Sequence, residues 1–293
     1  MYGTFIGDIV GSKYEFDNIK TKDFDLFSSD CNYTDDTIMT VAIAKAIMES
    51  IEKDDDLKET IIKTMQDFGR RFPCPKGAYG SRFSSWLKET DPKPYNSFGN
   101  GSAMRVSPCG LIALSLEEAK RLAALSASVS HNHPEGIKGA QAVSSAIFLA
   151  KIGKSKDDIK KYIEDNFYSL DFSLESIRPG YSFDVSCQGS VPQALVAFLE
   201  STDFEDSIRN AISIGGDSDT IGAITGSIAL PYYQAQLKAH PDADACAQIE
   251  KIIAQAKIYL PDEFIEIAED FDTLCRKRAD DFKDRGGKGY RRV

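Results

Sequence analysis

Cysteine pairs of the C-x-x-C kind are absent: Cys31, Cys74, Cys109, Cys187, Cys246 and Cys275 all stand far apart. That spacing excludes a zinc site built on cysteine pairs. Six thiols in 293 residues fit a reducing, cytoplasmic setting better than a disulfide framework. No apolar run approaches the roughly 18 residues of a membrane span. The N-terminus, MYGTFIGDIVGSKYEF, has no basic start, and Asp8 interrupts its apolar stretch, so it does not read as a secretory signal. Positive charge is in deficit. The net charge of −10 argues against a surface for nucleic acid. An anionic small substrate would then need a local device, such as backbone N–H groups or a bound cation. Strand-like alternation is scarce, and no repeat of solenoid length is visible. There are three histidines and no G-x-S-x-G motif, which leaves no basis for a Ser–His–Asp triad.

What remains reads as helix. Ala44, Ile47, Met48 and Ile51 follow the i, i+3, i+4, i+7 pattern of a buried face. In SLEEAKRLAALSASVSH, Ser115 is a cap and Glu118 completes a capping box. EGIKGAQAVSSAIFLAKIG is rich in alanine and ends at Gly153, a stop signal. SVPQALVAFLES, FEDSIRNAISIG and DACAQIEKIIAQAKIYL add three amphipathic stretches. The pattern predicts an all-α fold, a compact helical bundle, with residues 1–293 as one domain. The longest loop runs from Arg70 to Arg105 and is rich in Gly, Pro, Ser and aromatics, with room for a short helix. Long ordered loops in compact domains are usually functional. The tail from Arg276 carries eight Lys/Arg against three Asp and reads as a solvated end or a last helix.

Two acidic clusters stand out. In CNYTDDTIMTVAIAKAI, Asp35 and Asp36 lie between Thr34 and Thr37 at the mouth of a helix. In SIGGDSDTIGAITGSIAL, Asp217, Asp219 and Thr220 open another helix about 180 residues later. Asp and Thr are good N-caps, which is the plain explanation for either cluster alone. A cap needs one acceptor, however, and a second carboxylate adds repulsion unless a cation lies between them. Hard cations take oxygen ligands, and two converging clusters would supply enough for two ions. The positive ends of the two helix dipoles oppose this, so full carboxylate charges must outweigh them. DSDT also has the shape of a D-x-D-x-T phosphohydrolase start, but it follows Gly215 and Gly216 rather than an apolar strand. His131 and His133 form an H-x-H pair, yet His240 is the sole further histidine, too few for a zinc site of this type.

Five stretches in order, GTFIGDIVGSKYEF, YTDDT, SFGNGSAMRVSP, SHNHPEGIKGA and GGDSDTIGAITGSIA, resemble the ADP-ribosylglycohydrolases. They span residues 3 to about 230. The resemblance implies an all-α fold with two Mg²⁺ or Mn²⁺ ions in a central cleft. It implies that Thr34, Asp35 and Asp36 form one side of the metal site, and Asp217, Asp219 and Thr220 the other. Glu15 matches an acidic residue on a flap over the metals. Glu15 and Asp36 are the implied proton-transfer groups.

By the same resemblance, Ser97, Phe98, Gly99, Asn100, Gly101 and Ser102 wrap the diphosphate and distal ribose, and His131 lines the ligand pocket. The residues fit that role, because Gly99 and Gly101 allow close backbone approach and positive φ, with N–H groups free to meet phosphate oxygens. The loop is not a dinucleotide fingerprint, since Met104 stands where G-x-G-x-x-G needs glycine and no βαβ unit surrounds it. Tyr79, Phe98 and Tyr181 are candidates for stacking on a base, with core packing the plainer role for each; Trp86 reads as core. The implied activity is hydrolysis of the bond between ADP-ribose and a protein side chain or small acceptor. An ADP-ribose sensor without turnover is the alternative. The sequence expectation is a cytoplasmic monomer that contacts neither membrane nor nucleic acid.

Overall fold

The computed structural model describes residues 1–284. They form α1 (Tyr2–Gly11), α2 (Asp35–Lys53), α3 (Leu57–Arg71), α4 (Ser81–Trp86) and α5 (Gly101–Met104). Then follow α6 (Ser107–Ile112), α7 (Leu116–Ser128), α8 (Pro134–Lys151), α9 (Lys156–Asn166) and α10 (Leu174–Ile177). The chain continues through α11 (Cys187–Leu199), α12 (Phe204–Ser213), α13 (Ser218–Ala239), α14 (Ala243–Lys257) and α15 (Asp262–Asp284). Among the described residues no strand forms; two isolated bridges, Thr34 with Lys76 and Gly99 with Ser186, are all the β-pairing there is. The expected all-α class is what the chain adopts. No helix of the described residues is long and apolar enough to cross a membrane.

The centre of the molecule is a pair of helices, α1 and α13. Every residue of α1 is buried, as is every residue of α13 from Ser218 to Leu230. Their backbones touch. A Cβ added to Gly3 would lie 2.1 Å from the Gly226 carbonyl oxygen, one on Gly7 1.9 Å from that of Gly222, and one on Gly11 2.4 Å from that of Ser218. The pairing runs antiparallel with a four-residue step, the spacing that keeps one face of each helix in line. Helix packing normally holds axes about 8–10 Å apart; small residues on both faces let backbones approach closer. Helices α8, α11 and α12 surround α13, while α14 packs on α1 and α15 on α2.

Local caps follow the sequence closely. Ser155 and Asp203 cap α9 and α12, and Gly153 takes a φ of +79° just after α8. One cap differs. Ser115 accepts from the Glu118 N–H, but the Glu118 side chain does not return to Ser115. Its Oε2 accepts from the Leu114 N–H (2.8 Å), and its Oε1 pairs with Arg278 of α15 (2.7 Å). A strong ionic partner has drawn the carboxylate away from the box. Trp86 is buried and stacks on Phe83 at 5.5 Å, a core role as expected. The basic tail divides: residues 276–284 belong to α15, and 285–293 lie outside the described residues.

Candidate functional site

The start of α2 separates capping from metal binding. Thr34 is the cap, its hydroxyl accepting from the Asp36 N–H at 3.3 Å. Asp8, reaching across from α1, accepts from the Thr34 and Thr37 N–H groups through Oδ2, at 2.9 and 3.0 Å. The N–H groups of Asp36 and Thr37 are therefore met by Thr34 and Asp8, not by Asp35 or Asp36. The start of α13 is arranged differently, with Asp219 Oδ1 accepting from the Thr220 N–H at 3.0 Å. Asp217 holds the N-cap position, but its side chain makes no capping bond. Its Oδ2 instead accepts from Asn100 Nδ2 at 2.7 Å.

The two clusters meet. Thr220 Oγ1 of α13 donates to Asp36 Oδ2 of α2 at 3.3 Å, and Thr34 Oγ1 donates to the same oxygen at 3.2 Å. Carboxylate oxygens of Asp8, Asp36 and Asp219 lie within 4.8 Å of one another, as do those of Glu15, Asp217 and Asp219. Asp219 belongs to both groups. Asp35 is half-buried at the wall of the same cleft but stands outside both triads. Burial, and then the charge of neighbouring carboxylates, raises the carboxyls of Asp36 and Asp219 well above the ordinary range. Glu15 is pushed up to about 8 by burial and by the charges of Asp219 and Asp8. Asp8 Oδ1, Asp36 Oδ1 and Glu15 Oε2 are buried without any hydrogen-bond partner among the described residues. Unpaired buried carboxylate oxygens are costly, and an all-oxygen set of this charge is what a hard divalent cation requires. The residues fit such an ion.

Above the carboxylates opens a cleft of about 440 Å³. Its walls come from Glu15 and Phe16, the Gly77–Phe83 segment, the Ser97 and Gly99–Gly101 part of the glycine loop, His131, Phe183 and Val185. The Ser97–Gly101 loop is held from behind. Asn100 N–H donates to the Val185 carbonyl (2.8 Å), Cys187 N–H to that of Phe98 (2.9 Å), and the Cys187 thiol to that of Gly99 (3.2 Å). Ser97, Gly99, Asn100, Gly101 and His131 line the cleft, whereas Phe98 and Ser102 do not. Phe98 is exposed and packs edge-on against His133, and Ser102 is fully buried, donating to the Gly136 carbonyl at 2.7 Å. Neither Gly99 nor Gly101 uses the positive φ that glycine allows; among the described residues the glycines with positive φ are Gly77, Gly153, Gly215 and Gly216. The Gly99 N–H is also spent, on Ser97 Oγ at 3.1 Å. Close approach is the reason for Gly101: a Cβ there would lie 3.1 Å from His131 Nε2.

The remaining sequence candidates separate cleanly. Tyr79 lines the cleft, while its hydroxyl donates to the Phe72 carbonyl. Tyr181 packs against Gly216 and donates to the Gly189 carbonyl. His133 caps α8, its Nδ1 accepting from the Glu135 N–H at 3.1 Å, so it does not join His131 in a metal site. Sequence reading passed over two residues. Asp8 was visible as a lone acid in an apolar run, FIGDIVG, which is its one signal. Arg105, fully buried in the cleft floor, carried no signal beyond its place after the glycine loop.

The chain is similar to known proteins along most of its length. A family model described as ADP-ribosylglycohydrolase matches residues 1–236. The chain is 27% identical to the ADP-ribosylhydrolase ARH3 of Homo sapiens, over 69% of this chain and 70% of that protein. It is 24% identical to the ADP-ribosylarginine hydrolase Tri1 of Pseudomonas putida (strain GB-1), over 80% of this chain and 69% of that one. A solved structure described as an ADP-ribosylglycohydrolase-related protein complex superposes with a TM-score of 0.63 over 94% of both chains. At 19% identity that likeness shows a shared fold.

Proposed function

Because the chain belongs to the ADP-ribosylglycohydrolase family, we propose that it is a metal-dependent hydrolase cleaving the glycosidic bond between ADP-ribose and a protein side chain or small acceptor. The observation that carries this reading is the meeting of Asp36 with Asp219 and Thr220, from two sequence-distant helix starts, around buried oxygens that lack partners. Residues 1–293 are read as one domain, since α14 and α15, beyond the matched segment, pack on α1 and α2.

In this reading Thr34, Asp35, Asp36, Asp217, Asp219 and Thr220 hold two Mg²⁺ or Mn²⁺ ions, and Asp8 offers its free Oδ1 beside them. When bound, the cations supply charge that orients the ribose hydroxyls and acidifies water at the site. The residues do the rest. Breaking the bond from the anomeric carbon builds positive charge on the ribose. A new C–O bond forms from water, the water gives up a proton, and the leaving nitrogen or oxygen takes one. Asp36 and Glu15 are the groups that move these protons. Glu15 Oε2 is suited to hold one, being buried, unpartnered and poised near neutral pH. Ser97, Gly99, Asn100, Gly101 and His131 orient the ADP-ribose, with Phe98 and Ser102 supporting the loop from outside the cleft.

The test is release of ADP-ribose from arginine-linked, serine-linked and O-acetyl substrates, with Mg²⁺ and with EDTA. One substrate should be turned over only with the cation, and Asp219→Ala should abolish that turnover. Equal release in EDTA, or an active Asp219→Ala, would refute the reading. Binding of ADP-ribose without release from any substrate would point to the sensor instead.

A further inference from the structure

We propose that Arg105 and Ser130 lock His131 as the neutral tautomer protonated on Nε2, which makes it a fixed hydrogen-bond donor to a phosphate oxygen of the ligand. The ligand part of this inference rests on the reading of the substrate as ADP-ribose given above. The tautomer part rests on geometry alone.

Arg105 is an unusual cation. It is fully buried, and its Nη2 donates to the Ser126 carbonyl and to Ser130 Oγ, both at 2.9 Å. Its Nε and Nη1 have no partner among the described residues, and its guanidinium carbon lies 5.8 Å from the centre of the Phe83 ring. No described carboxylate compensates it. A buried guanidinium without a counter-ion is costly unless something negative arrives. In a chain of net charge −10, it places local positive charge in the floor of the cleft, where a diphosphate would lie.

Ser130 passes the effect to His131. Ser130 Oγ lies 2.8 Å from His131 Nδ1 and is itself buried. A hydroxyl has one hydrogen to donate. Since Ser130 Oγ already accepts from Arg105, its hydrogen is free to go to Nδ1, and no other acceptor is placed for it among the described residues. The reverse arrangement, with Nδ1 as donor, would leave a buried O–H unsatisfied, a cost of about 1–3 kcal/mol. So Nδ1 accepts, and the ring proton sits on Nε2. That nitrogen faces Gly101 and the cleft and has no partner among the described residues. Burial and the charge of Arg105 hold the His131 ring well below its usual basicity, consistent with a neutral donor. Ser130 and Arg105 are thus positioning residues that act through His131.

Long-range proton–nitrogen correlation spectra of the full-length protein read the tautomer directly, because the chain has three histidines to assign. The unliganded protein should show His131 with an unprotonated Nδ1 and a protonated Nε2. Ser130→Ala should populate the Nδ1–H form. The same variant should weaken ADP-ribose binding by roughly tenfold in saturating Mg²⁺, the scale of a hydrogen bond to a charged group. Binding of adenosine, which lacks phosphates, should hardly change. A protonated Nδ1 in the parent protein overturns the proposal, and so does equal weakening of both ligands. If Ser130→Ala does not fold, the parent spectrum alone still decides the tautomer. If the parent binds no ADP-ribose, the proposed substrate fails while the spectrum judges the relay separately.

Discussion

Glu15 shows how much the site depends on what it holds. Its carboxyl ionises near 4.5 in an unfolded chain and near 8 in the folded, ion-free protein, with burial the main cause. The folded state therefore binds the proton more tightly. The stability gained from this is fully present below about pH 4.5 and is lost as pH rises through 8. In EDTA, the melting temperature of the parent should fall between pH 5 and 8 more steeply than that of Glu15→Gln. Added Mg²⁺ should narrow the gap, since the ion replaces the proton as the partner of the cluster. Identical slopes for the two proteins, measured by thermal unfolding, would show that Glu15 is not held in the neutral form. Residue identity was the most legible layer in the sequence. TDDT and DSDT announced themselves because two carboxylates beside a cap have no structural use. Asp8 did not, because a single acid in an apolar helix gains meaning only when Thr34 and Thr37 turn out to be its neighbours.

At the level of helices, the pairing of α1 with α13 places the chemistry. Asp8 sits in the middle of α1 and Asp219 in the first turn of α13, and the glycine contacts bring those two turns together. Gly7→Ala removes a helix-weakening residue, a gain of about 1 kcal/mol. It also forces a Cβ to within 1.9 Å of the Gly222 carbonyl oxygen, which neither backbone can avoid without moving. Overpacking should prevail, for a net loss near the upper end of about 1–3 kcal/mol in urea denaturation. Gly153→Ala, by contrast, meets nothing within 4 Å and costs the positive φ alone, about 1–2 kcal/mol. The expected order is Gly7→Ala worse than Gly153→Ala, although Gly153 has the stranger backbone. The reverse order would mean that α1 can slide. The sequence hid this pairing because glycine reads as a helix weakener, and no periodicity score credits it with contact.

Across the whole molecule, the C-terminal helix is tied into the middle of the chain by one buried pair. Arg278 donates to Glu118 Oε1 at 2.7 Å and to the Ile112 carbonyl at 3.0 Å, joining α15 to the α6–α7 corner. The two side chains are 3% and 11% exposed, so removing one leaves the other poorly solvated. Arg278→Ala should destabilise the protein by about 3–5 kcal/mol. It should leave the affinity for ADP-ribose unchanged in calorimetry at low temperature, because neither residue lines the cleft. A weaker affinity with intact stability would place α15 in the functional unit rather than its frame. Helix content and order followed from caps and apolar spacing, so the all-α class was readable in advance. What was not readable were contacts between residues far apart in sequence, such as this pair, for which no local signal exists.

The four-residue step between α1 and α13 has a last consequence. Sliding one helix by a single step would move its side chains about 6 Å. The oxygens of each carboxylate group lie within 4.8 Å of one another, so such a slide would take them apart and the register admits one working setting. The walls of the cleft hang on separate loops, around Gly77–Phe83 and Phe183–Val185, that take no part in that register. Substitutions there should reshape the cleft while leaving the carboxylate register as it stands, so the two can vary independently.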